Sequence, residues 1–473
     1  MPLTPKQLVP SPGHSCAKVL WYDPAVATPG LAVFVAAAIA FGTPSRKVEE
    51  TQRIGTLLAK VISCDFDIAA GGAVGQCTSM TYPDGRKVDC VFDTLDRLLN
   101  RRDVGHSPIG AYEYIGKWRE ATLTYQNGTR LTHVGQVAGQ NADIGFDDLR
   151  RIVNHRWEHF TTEPLGNGTL VVGFGHQDAA GNPAYDRMNN KLIEEKLHDP
   201  DSSEVYVYDS AYRLTRPGTS NYRGLANAFR RGTLNGTKTD IASLTTRPGQ
   251  RQTEDWTLDG VGNWAANPFQ DQGATPVSEG RTHSDFNEIV IRAISTATAT
   301  LQHDRDGNTT DTGAHVTGGQ TFEGGGLRFV WDALHRLREI YFNNNTPGDE
   351  SDDILIAVML YDFQNRRMRM VLTNNDVASG STDFYFDGWQ EVEEHDASDA
   401  VLRQYVYGNY IDEVWTLDDR SGGITVAQLN DGPGGQRKHY HCNTLYSIYA
   451  LTNEAGVIAE AYQYNAYGTP TVW

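Results

Sequence analysis

Aliphatic residues are too few in this chain for an ordinary globular core. Only 39% of its 473 residues are hydrophobic, and the mean hydropathy is −0.47. A compact body of this length buries most of the surface its unfolded chain exposes and draws on Leu, Ile and Val to do it. Long apolar runs are missing as well. The longest, Leu31 to Phe41, is too short to span a bilayer and too far from Met1 for an ordinary secretory signal. It is read as a buried strand or helix, no membrane span is expected, and any export uses a route the sequence does not display. Cysteine is sparse: Cys16, Cys64, Cys77, Cys90 and Cys442 are scattered and odd in number, which predicts neither a zinc site nor a disulfide framework. Positive charge is outweighed, with 41 Lys and Arg against 59 acidic residues and a net charge of −18. That balance argues against a phosphate-tracking surface, so nucleic acid is not expected as a partner. The hydrolase elbow Gly-x-Ser-x-Gly and the phosphate loop Gly-x-x-x-x-Gly-Lys do not occur, and no cofactor is expected.

Aromatic residues and glycine are plentiful instead, with 22 Tyr, 16 Phe, 9 Trp and 47 Gly. This is the profile of many short strands joined by tight turns. From about Thr81 onward one unit recurs: an aromatic or apolar residue, Asp, a few variable positions, then Arg and an aliphatic residue. It appears as Phe92-Asp93 with Arg97-Leu98, Phe146-Asp147 with Arg151-Ile152, Tyr185-Asp186 with Lys191-Leu192, and Tyr208-Asp209 with Arg213-Leu214. It continues as Leu258-Asp259, as Asp304, as Trp331-Asp332 with Arg336-Leu337, and as Tyr361-Asp362 with Arg366-Arg367. Variable spacing marks a degenerate array interrupted by insertions, as around Pro217 and from Asn343 to Asp353. Each unit reads as a β-hairpin. The Asp side chain accepts turn amides, a Gly or Asn three to four places on takes positive φ, and the Arg opens the return strand against an aromatic ring.

Towards the end the units become more specific. Asp383 to Gln390 contains Asp387-Gly388-Trp389, Gln404 to Val414 reads Gln-Tyr-Val-Tyr-Gly-Asn-Tyr-Ile-Asp-Glu-Val, and His439-Tyr440-His441, Leu445 to Thr452 and Tyr462 to Gly468 follow in order. These segments resemble the YD-repeat, or RHS, family, whose unit reads roughly Tyr-Asp-x-x-Gly-Arg-Leu. The resemblance covers about residues 71 to 473. It singles out Asp387, Gly388, Tyr405, Tyr407, Gly408, Asp412, Glu413, Tyr464, Tyr467 and Gly468 alongside the earlier repeat residues, all in a structural role. It implies an all-β fold, a spiral strip of hairpins forming a hollow shell or partial barrel. In bacterial polymorphic toxins and insecticidal toxin complexes such shells enclose a toxic domain, and in teneurins a similar shell carries adhesion modules. The family's toxin-bearing members continue past the Tyr-Gly element into a self-cleavage segment and an effector. This sequence stops at Trp473, so neither autoproteolysis nor toxicity is carried over.

Three constellations carry alternative chemistry. His155-Arg156-Trp157-Glu158-His159 fits the inverted zinc-peptidase motif, which needs two His one helical turn apart; its strand context speaks for an exposed strand or loop instead. His439, His441 and Cys442 lie close enough for a metal, yet a shell-lining role fits the family element better. Acidic pairs such as Glu393-Glu394 and Asp418-Asp419 are read as acidic turns rather than a glycosidase pair. Gly173-Phe174-Gly175 and Gly324-Gly325-Gly326 read as turns or hinges. Thr43-Pro44-Ser45 followed by Ile54, Leu57, Leu58, Val61 and Ile62 predicts a helix over Arg46 to Ile62.

The expected organisation is a mixed N-terminal segment over residues 1–70 and a β-shell over 71–473. The expected function is a non-catalytic encapsulating module, secreted or at the cell surface, whose partners are an enclosed toxin domain or other shell subunits. A glycan-binding adhesion module and a hydrolase using His155, Glu158 and His159 are the alternatives. An unclosed strip would also expose sheet edges and tend to associate.

Overall fold

The computed structural model describes residues 17–22, 35–42, 46–54, 59–66, 75–134, 145–160, 168–208, 212, 214, 226–234, 244–245, 251–271, 277–322, 324–374, 377–431, 436–464 and 468–472. Asp209, Arg213 and Tyr467 lie outside the described residues, as do Cys16 and the insertion at Pro217. Two compact units divide the chain: one of Met1–Leu131, His159–Gly168 and Ala357–Ala461, the other of Thr132–Glu158, Thr169–Ile356 and Tyr462–Trp473. Both are antiparallel β, and strand follows strand in chain order with the hairpin as the unit. Among the described residues the helical pieces are Val426–Asp431 and two short turns, Pro200–Ser202 and Glu350–Asp352, and no helix is long and apolar enough to cross a membrane.

The recurring Asp explains why each reversal has the same length. At Asp147 one carboxylate oxygen accepts from the Leu149 and Arg151 amides at 2.9 and 2.8 Å, while the other takes the Arg151 Nε at 2.6 Å. The Asp147 amide donates to the Arg151 carbonyl and the Arg150 amide to the Asp147 carbonyl, which closes the turn. Asp93 and Arg97, Asp332 and Arg336, and Asp362 and Arg366 repeat this pattern. The turn residue just before the Arg position adopts positive φ, and it is a glycine at Gly262 and Gly307 but Asp96, Arg150, His335 or Asn365 elsewhere. The five bonds around the Asp offset the left-handed conformation those side chains would otherwise avoid.

The aromatic residue ahead of Asp pairs with the residue six positions on: Phe92 with Leu98, Trp331 with Leu337 and Tyr361 with Arg367 as ladder pairs, and Phe146 with Ile152, Tyr185 with Lys191 and Tyr208 with Leu214 as single bridges. That register corrects one assignment. The partner of Asp186 is Asn190, whose Nδ2 donates at 2.7 Å, and Lys191 occupies the aliphatic position. Asn fills the same seat after Asp178, Asp259 and Asp304, because its amide also offers a donor to the second carboxylate oxygen.

Three further expectations are corrected. Arg46 to Ile62 is not helical: Arg46–Ile54 and Lys60–Phe66 are paired strands, and the second pairs with Cys77–Thr81. The buried residues of the first, Glu50, Gln52 and Ile54, recur every second position. Two of the three are polar, which disguises a strand period as a helical one. Ile54 and Ile62 join Met80, Tyr82, Val88, Leu360, Met368, Tyr385 and Val392 in one apolar cluster. Gly173-Phe174-Gly175 is not a turn but part of strand Thr169–Gly175, with Phe174 buried; a side chain at Gly173 would press on Leu170 and Leu197. Finally, Cys64 and Cys77 form a disulfide across adjacent strands, with Cα atoms 5.4 Å apart. Digestion without reduction should release their two peptides as one linked species by mass spectrometry, with Cys90 recovered as a free thiol. Separate Cys64 and Cys77 peptides would contradict the pairing.

Candidate functional site

Successive hairpins are fastened through their turns. After bonding its own Asp, Arg97 donates to the Gly116 carbonyl of the next turn at 2.5 Å and lies 4.5 Å over the Tyr114 ring. Arg366 likewise reaches the Gly388 carbonyl at 2.6 Å and the Phe386 ring. In the other unit Arg151 bonds Asn189 and covers the Tyr185 ring, Asn263 bonds Asn287, and Asn308 meets His335. Polar-tipped aromatics return the contact: Tyr114 donates to the Leu98 carbonyl, Tyr185 to Ile152, Trp331 to Thr309 and Tyr407 to Glu391. The aromatic position of the motif therefore serves the preceding hairpin.

Within the unit of Met1–Leu131 and Ala357–Ala461, the early strands face the late ones across a core that is partly ionic. Arg86 Nε sits 2.7 Å from Asp103 Oδ1, and its other nitrogen 2.7 Å from Asp418 Oδ2. Arg437 Nε lies 2.7 Å from Asp418 Oδ1 and its terminal nitrogen 3.0 Å from Asp103 Oδ2. All four side chains are shut off from solvent. Gln126 and Asn430 accept from Arg437, and Gln404 accepts from Arg86. Two cations and two anions alternate, so the square is neutral and each charge has two counter-ions. Burial alone would raise the Asp103 carboxyl, but Arg86 and Arg437 hold it down at about 2.

The Tyr-Gly-x-x-x-x-Glu segment knots the same interface. Glu413 receives the Tyr112 hydroxyl at 2.5 Å, the Trp415 indole at 3.3 Å, and the Asn409 and Tyr410 amides at 3.0 and 3.3 Å. A Cβ on Gly408 would fall 2.5 Å from Glu413 Cδ and from Trp415 Nε1, so only glycine fits. Burial raises the Glu413 carboxyl, and burial with the nearby Glu413 raises Glu120 to about 7. A third polar group surrounds His395, whose two nitrogens meet Glu393 and Asp399, with Lys60 2.9 Å from Asp399. Burial opposes a charge on this imidazole, but Glu393 and Asp399 outweigh it and raise its pKa.

The remaining singled-out residues take simpler places. Asp387 and Gly388 form the turn before Gln390, with Gly388 at φ +62°. Tyr405 bonds Glu394, Asp412 is exposed, Tyr464 pairs with Pro470, and Gly468 has φ +81°. His155 is buried with its Nδ1 3.2 Å from His133 Nε2, whereas Glu158 pairs with Arg156. On the extended strand Asn154–His159 four residues span about 13 Å, so His155 and His159 cannot chelate one ion as a helical pair would. His439 and His441 are both buried, 5.2 and 5.8 Å from the Tyr125 ring. Burial lowers both, His441 to about 3. Among the described residues no group of three His, Cys, Asp or Glu is placed to hold a metal. Sequence reading missed Asp178, Asp396, Asn443 and Asn453 as turn residues; each accepts the amides two and four positions on. Their spacing to the following positive-φ residue was the available signal. Arg86, Asp103 and Arg437 carry no such local signal.

Replacing Arg437 by Met should cost about 3–5 kcal/mol, because Asp103 and Asp418 would stay buried with one cation between them; urea unfolding at neutral pH measures this. A loss below about 1 kcal/mol would show the square to be dispensable. His441 offers a second test. Its folded pKa of about 3 lies below the ordinary value of about 6.5, so the unfolded chain binds the proton first and stability is lost as pH falls from about 6.5 towards 3. His441→Asn should therefore gain stability relative to the wild type over that window, and a difference that stays flat with pH would contradict the assignment.

No model of a known protein family matches the chain. The tRNA3(Ser)-specific nuclease WapA of Bacillus spizizenii is 23% identical over 222 residues, which is 46% of this chain and 8% of that protein. Among solved structures, the Photorhabdus luminescens Tc holotoxin pore carrying a TccC3 mutation matches 92% of this chain at a TM-score of 0.62 and 12% identity. A TcdB2-TccC3-TEV crystal structure matches 92% at a TM-score of 0.60 and 12% identity. In both, the chain spans 20% of the solved chain. At that identity the likeness is one of fold, the antiparallel β fold of RHS-repeat shells. The repeated turn described above is the unit from which this chain builds that fold, and fold is what the likeness shows.

Proposed function

We propose that this chain is a wall segment of an encapsulating shell in a bacterial toxin-delivery system, working outside the cytoplasm and without catalysis of its own. The wall takes in residues 71–473 together with the paired strands Arg46–Ile54 and Lys60–Phe66, which share its sheet and its apolar cluster. The observation that carries the reading is the ionic closure between the strands around Arg86 and Asp103 and those around Asp418 and Arg437. A buried network of this kind fixes one register between two stretches of strip, which a wall needs and a mobile enzyme loop does not. The repeat residues, from Phe92, Asp93 and Arg97 to Tyr464 and Gly468, act in building that wall. The disulfide between Cys64 and Cys77 suits an oxidising compartment. The partners that fit are an enclosed toxin domain and further shell segments. Cryo-electron microscopy of the intact product of the gene tests this. A chamber bounded by the hairpin strip, with density inside it, is the expected result, and a solid globule would refute it.

A further inference from the structure

The turn at Ser284 carries its clamp with the polarity reversed. Ser284 stands where Asp stands elsewhere: its hydroxyl oxygen accepts from the Phe286 and Glu288 amides at 3.2 and 3.3 Å and donates to Glu288 Oε2 at 2.9 Å. The backbone reversal is the ordinary one, with the Ser284 amide bonded to the Glu288 carbonyl and the Asn287 amide to the Ser284 carbonyl. The seat of the Arg or Asn is therefore filled by an acid. A carboxylate has no N–H, so Glu288 cannot fasten the next turn as Arg97 fastens Gly116 or Asn263 fastens Asn287. Its Oε1 takes no bond from a described residue and points towards that next turn, 3.6 Å from where a Cβ on Gly307 would lie. The strand ladder parts at the same place. The Leu301 amide still donates to the Val290 carbonyl at 3.0 Å, but Gln302–His303 then pairs with Thr309–Asp311, so that one large sheet ends with Ala297–Thr300 and the other begins. Between the turns 284–288 and 304–308 a cavity of about 600 Å³ opens, with Ile289 and Leu301 in its wall and Phe286, 84% exposed, at its lip. Arg305 and Asp306 stand exposed on the far turn, and their charges cancel, which leaves Glu288 as the excess charge of the lining.

We propose that this cleft takes an arginine side chain from another polypeptide, within a segment where apolar residues flank that arginine. The incoming guanidinium does in trans what Arg97 does in its own turn, where it bonds a carboxylate, reaches the next turn and lies over an aromatic ring. Here the carboxylate is Glu288, the next turn is that of Asp304 to Asn308, and the ring is Phe286. A planar fork of donors suits this double duty, whereas an ammonium group is a point charge. The cavity is larger than one arginine fills, and the flanking apolar side chains cover Ile289 and Leu301. Arg305 at the rim repels a second cation, so a single arginine among apolar neighbours fits better than a basic run. The slot does not depend on what the wall encloses.

Titration calorimetry on the full chain tests the proposal with four probes: the capped tripeptide Leu-Arg-Leu, the same peptide with citrulline or with glutamate at its centre, and free arginine amide. The arginine peptide should bind saturably, and the neutral citrulline isostere about tenfold more weakly or worse. Glu288→Gln should cost about tenfold in affinity and Phe286→Ala about threefold, with circular dichroism unchanged. The backbone bonds of the turn run through Ser284, so Glu288→Gln leaves the reversal intact, and a retained melting temperature checks this. The double substitution Ser284→Asp, Glu288→Arg rebuilds the ordinary clamp; it should abolish binding while the melting temperature holds or rises. Silence with the arginine peptide would overturn the proposal, as would binding that survives Glu288→Gln or the rebuilt clamp. Equal binding of the citrulline peptide would remove the role of charge. Binding of the glutamate peptide instead would assign the cleft to Arg305, and equal affinity for arginine amide would make it a small-molecule site; each of these results also overturns the proposal.

Discussion

The hairpins that repeat through the described residues turn most often on one carboxylate that has more acceptor sites than its own turn strictly requires. One oxygen of Asp147 closes the backbone reversal and the other is left to hold Arg151. Because the guanidinium is thereby fixed in place, its remaining nitrogens aim outward along the sheet edge and meet the next turn. Loop length, register and the link between repeats thus follow from a single residue. The Asn variants show how little the device needs: one donor at the correct distance suffices, and the positive charge is optional.

The ionic square shows how a chain with so few aliphatic residues can still bury a face. Taking four charges out of water is expensive, and an apolar replacement of equal volume is often as stable or more so. What the square supplies is selectivity. A strip slipped by two residues would still match apolar to apolar, but it would leave a buried guanidinium facing no carboxylate. Glu413 acts similarly, since its bonds to Tyr112, Trp415 and two backbone amides can be satisfied in one alignment only.

The parts of the fold that were legible in the sequence are those set by neighbours in the chain. The Asp-to-Arg spacing is local, so the hairpins could be read directly, and the terminal segments were specific enough to point to the shell fold. Reading failed where a distant strand decides. Glu50 and Gln52 look like the outer face of a helix, and only contact with Phe386, Arg366 and Gly388 makes them inward residues of a strand. Cys64 and Cys77 are separated by 13 residues in a pattern without a family signature, and become partners once their strands pair. Lys191 was mistaken for the motif cation because Asn was not recognised as a substitute. Arg86, Asp103, Asp418 and Arg437 were invisible as a group, since nothing local distinguishes a buried Arg from an exposed one.

The square also ties the protein's maturation to its translation. Arg437 and Asp103 are 334 residues apart, and at roughly 5–20 residues per second the ribosome separates their synthesis by tens of seconds. Throughout that interval Arg86 and Asp103 form only half of their network, and the apolar face of the early hairpins has no cover. A nascent chain in this condition is exposed to premature pairing with other nascent chains, and its contact order predicts slow closure even after release. The hairpins, by contrast, can close one by one as they emerge, because each carries its own Asp clamp. Assembly therefore divides into a fast local phase and a late, all-or-none docking of the last strands upon the first.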